Sequence, residues 1–154
     1  MDISANKEPR IRPDVVAQLV ETGKWSEETA ILGELAHYCC EYCGRYLLHC
    51  PECYKQWQVD HIVPVCKGGA KDGPANKAIA CRTCNCDWKG CWDPSRGEKG
   101  LDRKVLIQRV RAYVLERQER TNRELAEACE IIFGKATSPS ASELCCAQSA
   151  KPAV

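Results

Sequence analysis

The chain has 154 residues, of which 44% are hydrophobic and 28% are charged, and its formal net charge is +1. This size and composition are those of one soluble domain with modest additions. A charge so close to zero excludes nucleic-acid binding through global charge, so any such surface has to be a local patch. No run approaches the about 18 apolar residues of a membrane span.

Cysteine is the unusual component, with 13 residues against one Phe and one Met. The polar start of the chain has no apolar region of the signal-peptide type, so we expect a cytoplasmic protein with no membrane partner. In that compartment cysteines bind metal more often than they form disulfides. Because the aliphatic core is thin, we expect a small fold that zinc stabilises.

Two short helices are predicted at the start of the chain. Pro13 suits the first turn of a helix and Gly23 its end. Ser26 is a suitable cap for a second helix, which is predicted to run to about His37. The apolar residues of both helices fit packing rather than a binding site. We therefore expect residues 1–37 to be an N-terminal helical extension.

Paired cysteines dominate the next stretch. Cys40-x2-Cys43 is followed by glycine, and a turn of this kind points two sulfurs at one place. An alternative spacing uses Cys39 as the first ligand of the pair. A second pair, Cys50-x2-Cys53, precedes the next strand.

An alternating strand is predicted from Trp57 to about Val65. It carries Asp60 and His61, and neighbouring residues of a regular strand point to opposite faces. These two side chains serve one site only if the strand ends or bulges there. Pro64 lacks a hydrogen-bond donor, which puts this segment at a sheet edge or an irregularity.

A short helix is predicted after a second apolar run, from Arg82 to about Gly90. Asn85 and Lys89 are four residues apart, so they share one face of this helix.

Two basic helices are predicted over residues 94–134. An amphipathic pattern begins at Leu101, and Thr121-x-x-Glu124 resembles a capping box that starts a second helix, which runs to Phe133. Between residues 96 and 123, nine Lys or Arg outnumber four Asp or Glu, so the region either grips a DNA backbone or is a solvated face. Residues 135–154 are rich in Ala and Ser and are predicted to be disordered.

Four cysteines have the spacing of a closed zinc site. The pairs Cys40/Cys43 and Cys81/Cys84 lie about 40 residues apart and supply the four thiolates of a tetrahedral, structural site. A second, less regular set is formed by Cys50, Cys53, Cys86 and Cys91.

The ordered motifs of residues 38–90 resemble the HNH endonuclease family. These motifs are an upstream Cys-x2-Cys-Gly, Asp60-His61-Ile62-x-Pro64, Gly68-Gly69, Asn76 and Cys81-x2-Cys84-Asn85-x3-Lys89. The resemblance covers roughly a third of the chain and implies the ββα-metal fold, in which a β-hairpin and a helix hold one catalytic divalent metal. We therefore expect an α+β protein with an HNH module and structural zinc over residues 38–93, flanked by N-terminal and C-terminal helices.

The residue types also fit phosphodiester hydrolysis on chemical grounds. His61 accepts a proton from water near neutral pH. The carboxylate of Asp60 and the amide oxygen of Asn85 suit Mg²⁺ or Mn²⁺. By resemblance Asn76 is the middle Asn of the motif, which we expect to hold the loop and orient His61. Lys89 is expected to contact the phosphate as a point charge.

The chain departs from the fullest family pattern in one respect. Some members carry histidines where this chain has Asn85 and Lys89, and those sites accept softer metals. With an amide and an ammonium in their place, we expect Mg²⁺ or Mn²⁺ as the catalytic metal and zinc only as the structural one.

The leading hypothesis is a metal-dependent endonuclease that hydrolyses DNA, with double-stranded DNA as the expected partner. The alternative is a non-catalytic zinc module that binds nucleic acid or a protein, which needs the cysteines but not Asp60, His61 or Asn85. A third hypothesis is an RNA-directed nuclease. The sequence leaves the target, the biological role and the oligomeric state open.

Overall fold

The computed structural model describes residues 11–134. In this part of the chain, the α-helices and strands are α1 Pro13–Glu21, α2 Glu27–Leu35, α3 Pro51–Tyr54, β1 Trp57–His61, β2 Lys77–Cys81 and α4 Arg103–Phe133. The other helical segments are the π-helix Thr83–Lys89 and the 3₁₀ turns Val65–Lys67 and Pro74–Asn76. The predicted disorder of residues 135–154 concerns residues outside this description. Among the described helices, none has both the length and the apolar character that crossing a membrane requires.

The two N-terminal helices form where the sequence predicts them. Pro13 occupies the first turn of α1, and the Ser26 hydroxyl caps α2 by accepting the Thr29 amide at 3.1 Å. α2 ends at Leu35, slightly before its predicted end, because the backbone becomes left-handed at His37, with a φ of 49°.

A buried carboxylate ties the segment before α1 to α2. Glu34 is 5% exposed and accepts hydrogen bonds from the Arg12 guanidinium at 2.8 and 2.9 Å and from the Tyr38 hydroxyl at 2.6 Å. The hydrogen bonds from Arg12 lower the pKa of Glu34 to about 2. Burial, together with the bond to Glu34, raises the pKa of Tyr38 to about 12.

β1 and β2 form an antiparallel hairpin whose register pairs His61 with Lys77 at the loop end. β1 ends at His61, so the predicted extension of the strand to about Val65 is wrong. Its physical cause is Pro64, which has no amide hydrogen for a strand ladder and directly precedes a 3₁₀ turn. The hairpin and the helical turn after β2 give the mixed α+β architecture that the sequence predicts.

The core lies between α2, the hairpin, the first half of α4 and the cysteine turn, which we define as residues 39–46. Its largest fully buried apolar side chains are Leu32, Leu47, Ile62, Ile79, Val110 and Val114. The cysteine turn is joined to β2 by the amide of Glu41, which donates to the carbonyl of Ile79 at 2.8 Å. This contact holds the first cysteine pair beside the end of the hairpin.

The short helix after β2 is a π-helix. The amide of Gly90 donates to the carbonyl of Asn85, five residues back, at 2.8 Å. Such widened turns are rare and occur frequently at functional sites. The face that Asn85 and Lys89 share lies against β1, because their side chains bond to Gln58 and Asp60.

A single helix takes the place of the two that the C-terminal sequence predicts. α4 is continuous over 31 residues, because no Gly or Pro interrupts it. Thr121-x-x-Glu124 therefore lies inside a helix and does not cap one, which corrects the capping-box prediction. Only the first half of α4 packs on the core, through Leu106, Ile107, Val110 and Val114.

Candidate functional site

Four cysteine sulfurs converge beside the hairpin. The Sγ atoms of Cys40, Cys43, Cys81 and Cys84 lie within 4.8 Å of one another, and all of these residues except Cys43 are buried. Sulfurs bound to one tetrahedral zinc at about 2.3 Å stand ~3.8 Å apart. The Cys43 and Cys81 sulfurs are 3.9 Å apart. The donor type, the number of donors and their spacing therefore fit a closed structural zinc site.

The four thiols polarise one another. Hydrogen bonds from Cys43, Cys81 and Cys84 to the sulfur of Cys40 lower the pKa of Cys40 well below its ordinary value. The bond to Cys40 raises the pKa of Cys84. Cys39, the alternative first ligand, donates to a backbone carbonyl at 3.4 Å. This direction favours the thiolate of Cys40, which is the form of cysteine that binds metal.

The second set of cysteines is not brought together. Cys50 and Cys53 have sulfurs 3.3 Å apart at the start of α3. Cys86 lies on the π-helix, where its sulfur is 3.5 Å from the side-chain oxygen of Gln58. Within residues 11–134, no second group of three or more Cys, His, Asp or Glu side chains could hold one ion. The predicted partnership of these residues with Cys91 therefore has no support in the arrangement of side chains.

Asp60 lies in a closed polar cluster under β1. Its side chain accepts the Tyr42 hydroxyl at 2.5 Å on Oδ2. The Lys89 ammonium is 2.9 Å from the same oxygen and 3.1 Å from Oδ1. Burial, and then the charge of Asp60, raises the pKa of Tyr42 well above its ordinary value, so the phenol remains a donor. Both carboxylate oxygens have partners inside the protein.

Lys89 lies inside the protein. Its side chain is 1% exposed, and its ammonium also donates to the backbone carbonyl of His61 at 3.0 Å. The phosphate contact predicted for Lys89 requires an ammonium that a substrate reaches. As the side chains stand, the ammonium is enclosed by Asp60 and the end of β1.

His61 is the last residue of β1 and is partly exposed. Its Nε2 lies 2.9 Å from the backbone carbonyl of Lys71. A carbonyl only accepts hydrogen bonds, so the neutral imidazole carries its proton on Nε2 and keeps Nδ1 as the basic atom. The strand ends here, which is the condition under which Asp60 and His61 serve one site.

Asn76 holds the loop that follows β1. Its side-chain oxygen accepts the Val63 amide at 2.8 Å, and its amide donates to the carbonyls of Val63 and Ala70 at 2.9 and 2.8 Å. Ala70 precedes Lys71, whose carbonyl receives His61. Asn76 thus fixes the segment that orients the imidazole through the backbone.

Asn85 faces Gln58, and its amide donates to the Gln58 side-chain oxygen at 2.9 Å. That bond uses the amide nitrogen, so Oδ1 is the atom that Asn85 offers to a cation. Asp60 offers no open oxygen while Lys89 holds it. The donor types of Asp60 and Asn85 suit a divalent cation, but the Asp60 carboxylate is open to one only when Lys89 leaves it.

Three arginines of α4 bond to other parts of the protein. Arg103 forms an ion pair with Glu41 at 2.8 Å, and Arg109 pairs with Glu98 at 3.0 Å. Arg111 donates to the backbone carbonyl of Glu41 at 2.6 Å. These arginines fix α4 to the cysteine turn and to the loop before it, which is a structural use of charge.

Three contributors to the site were not singled out by the sequence. Gln58 is two residues before Asp60 and so lies on the same strand face, which is a readable signal. Tyr42 stands between two cysteine ligands, where no spacing rule reveals its role. Lys71 contributes only a carbonyl. By contrast, Gly69 belongs to the Gly68-Gly69 motif that the sequence did single out, and a Cβ there would stand 2.0 Å from the carbonyl of Val63.

Residues 40–87 match the family model described as HNH endonuclease. The match covers 48 of the 154 residues and includes Asp60, His61, Asn76, Asn85 and the four clustered cysteines. It confirms the resemblance for that segment and indicates a nuclease-type function for it. No curated protein and no solved structure matches the chain significantly.

Proposed function

We propose that residues 38–93 form a metal-dependent endonuclease module that hydrolyses phosphodiester bonds of DNA, with double-stranded DNA as substrate. Residues 1–37 and 94–134 flank this module in the proposal. The observation that carries it is the imidazole of His61, which ends β1 with Nε2 bonded to the Lys71 carbonyl, inside the segment that matches the HNH endonuclease model.

His61 is the general base in this proposal. With Nε2 protonated, Nδ1 is the atom that accepts a proton from the attacking water. Asn76 acts as a positioning residue, because it holds Ala70 and thereby the carbonyl of Lys71 that sets the ring orientation.

The proposed catalytic cofactor is Mg²⁺ or Mn²⁺ on Asp60 and Asn85, since carboxylate and amide oxygens are the donors that these cations prefer. The proposed structural cofactor is zinc on the cysteine cluster. Its four protein ligands leave no position for a substrate, so zinc supports the hairpin and takes no part in hydrolysis.

The test is a plasmid-nicking assay on the zinc-loaded full chain with Mg²⁺ or Mn²⁺. We expect nicking by the parent protein and a loss of about 10²–10⁴-fold with His61→Ala, because general-base catalysis contributes about that much. His37→Asn is the matched control, since it removes an exposed imidazole outside the module and Asn tolerates the positive φ at that position.

Each hypothesis has its own outcome in this assay. Equal cutting by the His61→Ala protein would show that His61 is not the base. Full zinc content without nicking under either cation would favour the non-catalytic zinc module. Parallel reactions on duplex DNA, single-stranded DNA and RNA separate a DNA-directed enzyme from an RNA-directed one.

A further inference from the structure

The hydrogen-bonding groups of Asp60 and Lys89 are satisfied by partners within the protein. The ammonium has three donors and meets three acceptors, which are Oδ2 and Oδ1 of Asp60 at 2.9 and 3.1 Å and the His61 carbonyl at 3.0 Å. Tyr42 supplies a further hydrogen bond to Oδ2. Lys89 and Asp60 are 3% and 7% exposed, so these contacts are largely shielded from bulk water.

This arrangement leaves a second cation no room beside the first. A Mg²⁺ bound to Oδ2 at about 2.1 Å would lie within about 5 Å of the Lys89 nitrogen, since that nitrogen is 2.9 Å from the same oxygen. Like charges at that distance in a buried site repel strongly. The Tyr42 bond also occupies a lone pair of Oδ2.

We propose that Lys89 is the resident counter-cation of Asp60 and that it competes with the divalent cation for this carboxylate. Lys89 on Asp60 and a metal on Asp60 are mutually exclusive states, so metal binding releases the lysine side chain. The inference rests on the proposed function for the metal's place on Asp60. In this proposal Lys89 controls metal binding to Asp60, and a contact with phosphate is not its role in the metal-free protein.

The position of Lys89 in the chain allows its side chain to leave Asp60 without disturbing the hairpin. It is the last residue of the π-helix, and the next residue, Gly90, has a φ of +53°. Its ammonium bonds only one backbone group besides Asp60, the carbonyl that ends β1. Release of the side chain therefore breaks contacts to β1 but none of the hairpin's own ladder.

The first experiment measures Mn²⁺ binding to the zinc-loaded full chain by electron paramagnetic resonance. We expect Lys89→Met to bind Mn²⁺ about tenfold tighter or more. In the parent protein only the molecules in which Asp60 is not paired with Lys89 can bind the cation, so the apparent affinity is reduced in proportion to that fraction. Lys77→Met is the matched control, since it removes a lysine paired with Glu28 at 2.6 Å and should leave the affinity unchanged. Adding Asp60→Asn to Lys89→Met should abolish the gained binding.

A second measurement uses the unaltered protein, in case Lys89→Met does not fold. Lys89 should resist acylation without added metal and become labelled as Mn²⁺ is added, which mass spectrometry follows at that residue. Equal Mn²⁺ affinity of the parent and Lys89→Met proteins would overturn the inference. So would a Lys89 that stays protected while Mn²⁺ saturates Asp60.

The nuclease proposal is decided separately. If Mn²⁺ binds Asp60 in competition with Lys89 but the protein never nicks DNA, the inference stands and the proposed function fails. If the parent protein nicks DNA through His61 while Lys89→Met leaves metal affinity unchanged, the proposed function stands and the inference fails.

Discussion

The cysteine cluster and the Asp60 cluster each include one residue of the same hairpin, Cys81 and Asp60, and are organised in opposite ways. In the first, four donors of one kind point at a common centre, within 4.8 Å of one another, and no side-chain cation is among them. In the second, a carboxylate is already bonded to an ammonium and a phenol. The cysteine cluster is suited to bind a metal ion, whereas the Asp60 cluster already contains a side-chain cation, Lys89.

The cysteine cluster fits a site that gains folding energy from a bound metal, whereas the Asp60 cluster is neutralised without one. Zinc-bound thiolates contribute to folding directly, because the unfolded chain holds no such site. A buried carboxylate and ammonium neutralise each other, and removing either one leaves a charge without a partner. Variants of the two clusters should therefore respond differently to added metal.

The largest effect is expected for Cys84→Ser. Structural zinc contributes about 10–16 kcal/mol in small zinc domains, which exceeds the stability of most domains, so this variant should lose zinc and unfold the module. Zinc content and the thermal transition are the measurements, and Cys66→Ser, at an exposed position outside the cluster, is the control. A Cys84→Ser protein with full zinc and a sharp transition would exclude the proposed ligand set.

Asp60→Ala should destabilise the fold by about 3–5 kcal/mol, because it leaves the ammonium of Lys89 buried without a partner. The loss should appear in urea unfolding with no Mg²⁺ or Mn²⁺ added. Asp72→Ala, in the exposed loop, should change stability by less than about 0.5 kcal/mol. If Asp60→Ala costs stability only when metal is present, the carboxylate does not depend on its internal cation.

Asn76→Ala should cost about 1–3 kcal/mol, since it leaves buried backbone groups of the loop without partners. Hydrogen exchange at the Val63 amide, which Asn76 accepts at 2.8 Å, should become faster. Asn122→Ala, at an exposed position of α4, is the control and should leave that exchange rate unchanged. Unchanged exchange in the Asn76 variant would mean that the loop is held by other contacts.

The smallest effect concerns Glu34, a second carboxylate that is neutralised internally, here by Arg12. Its pKa is about 2 when folded and 4.5 as the reference value, so this contribution is present above pH 4.5 and is lost as the pH falls towards 2. The free energy of unfolding should therefore fall less steeply over this range in Glu34→Gln than in the parent. Urea unfolding at several pH values measures both slopes, and identical slopes would contradict the role of the pair.

The sequence predicted what depends on local spacing. Cys40-x2-Cys43 and Cys81-x2-Cys84 each form a turn that directs two sulfurs together, so the cluster required only that the turns meet. The helix caps and the turn glycines follow the same local logic. The ordered motifs around His61 indicated, for the same reason, the resemblance that the family model matches over residues 40–87.

The sequence did not predict what depends on tertiary contacts. Lys89 was expected to contact the phosphate, but it lies at the end of a π-helix with its ammonium buried against Asp60. The single helix α4 was read as two, because the capping pattern at Thr121 looks the same inside a helix as at its start. A local sequence pattern does not show which face of a helix or strand another part of the chain will cover.

Tyr42 stands between two of the clustered cysteines, and its hydroxyl reaches Asp60. Chelation or thiol oxidation that opens the cysteine turn therefore also removes a hydrogen-bond donor from the carboxylate of Asp60. Through this phenol, the condition of the sulfurs bears on the hydrogen bonding of Asp60.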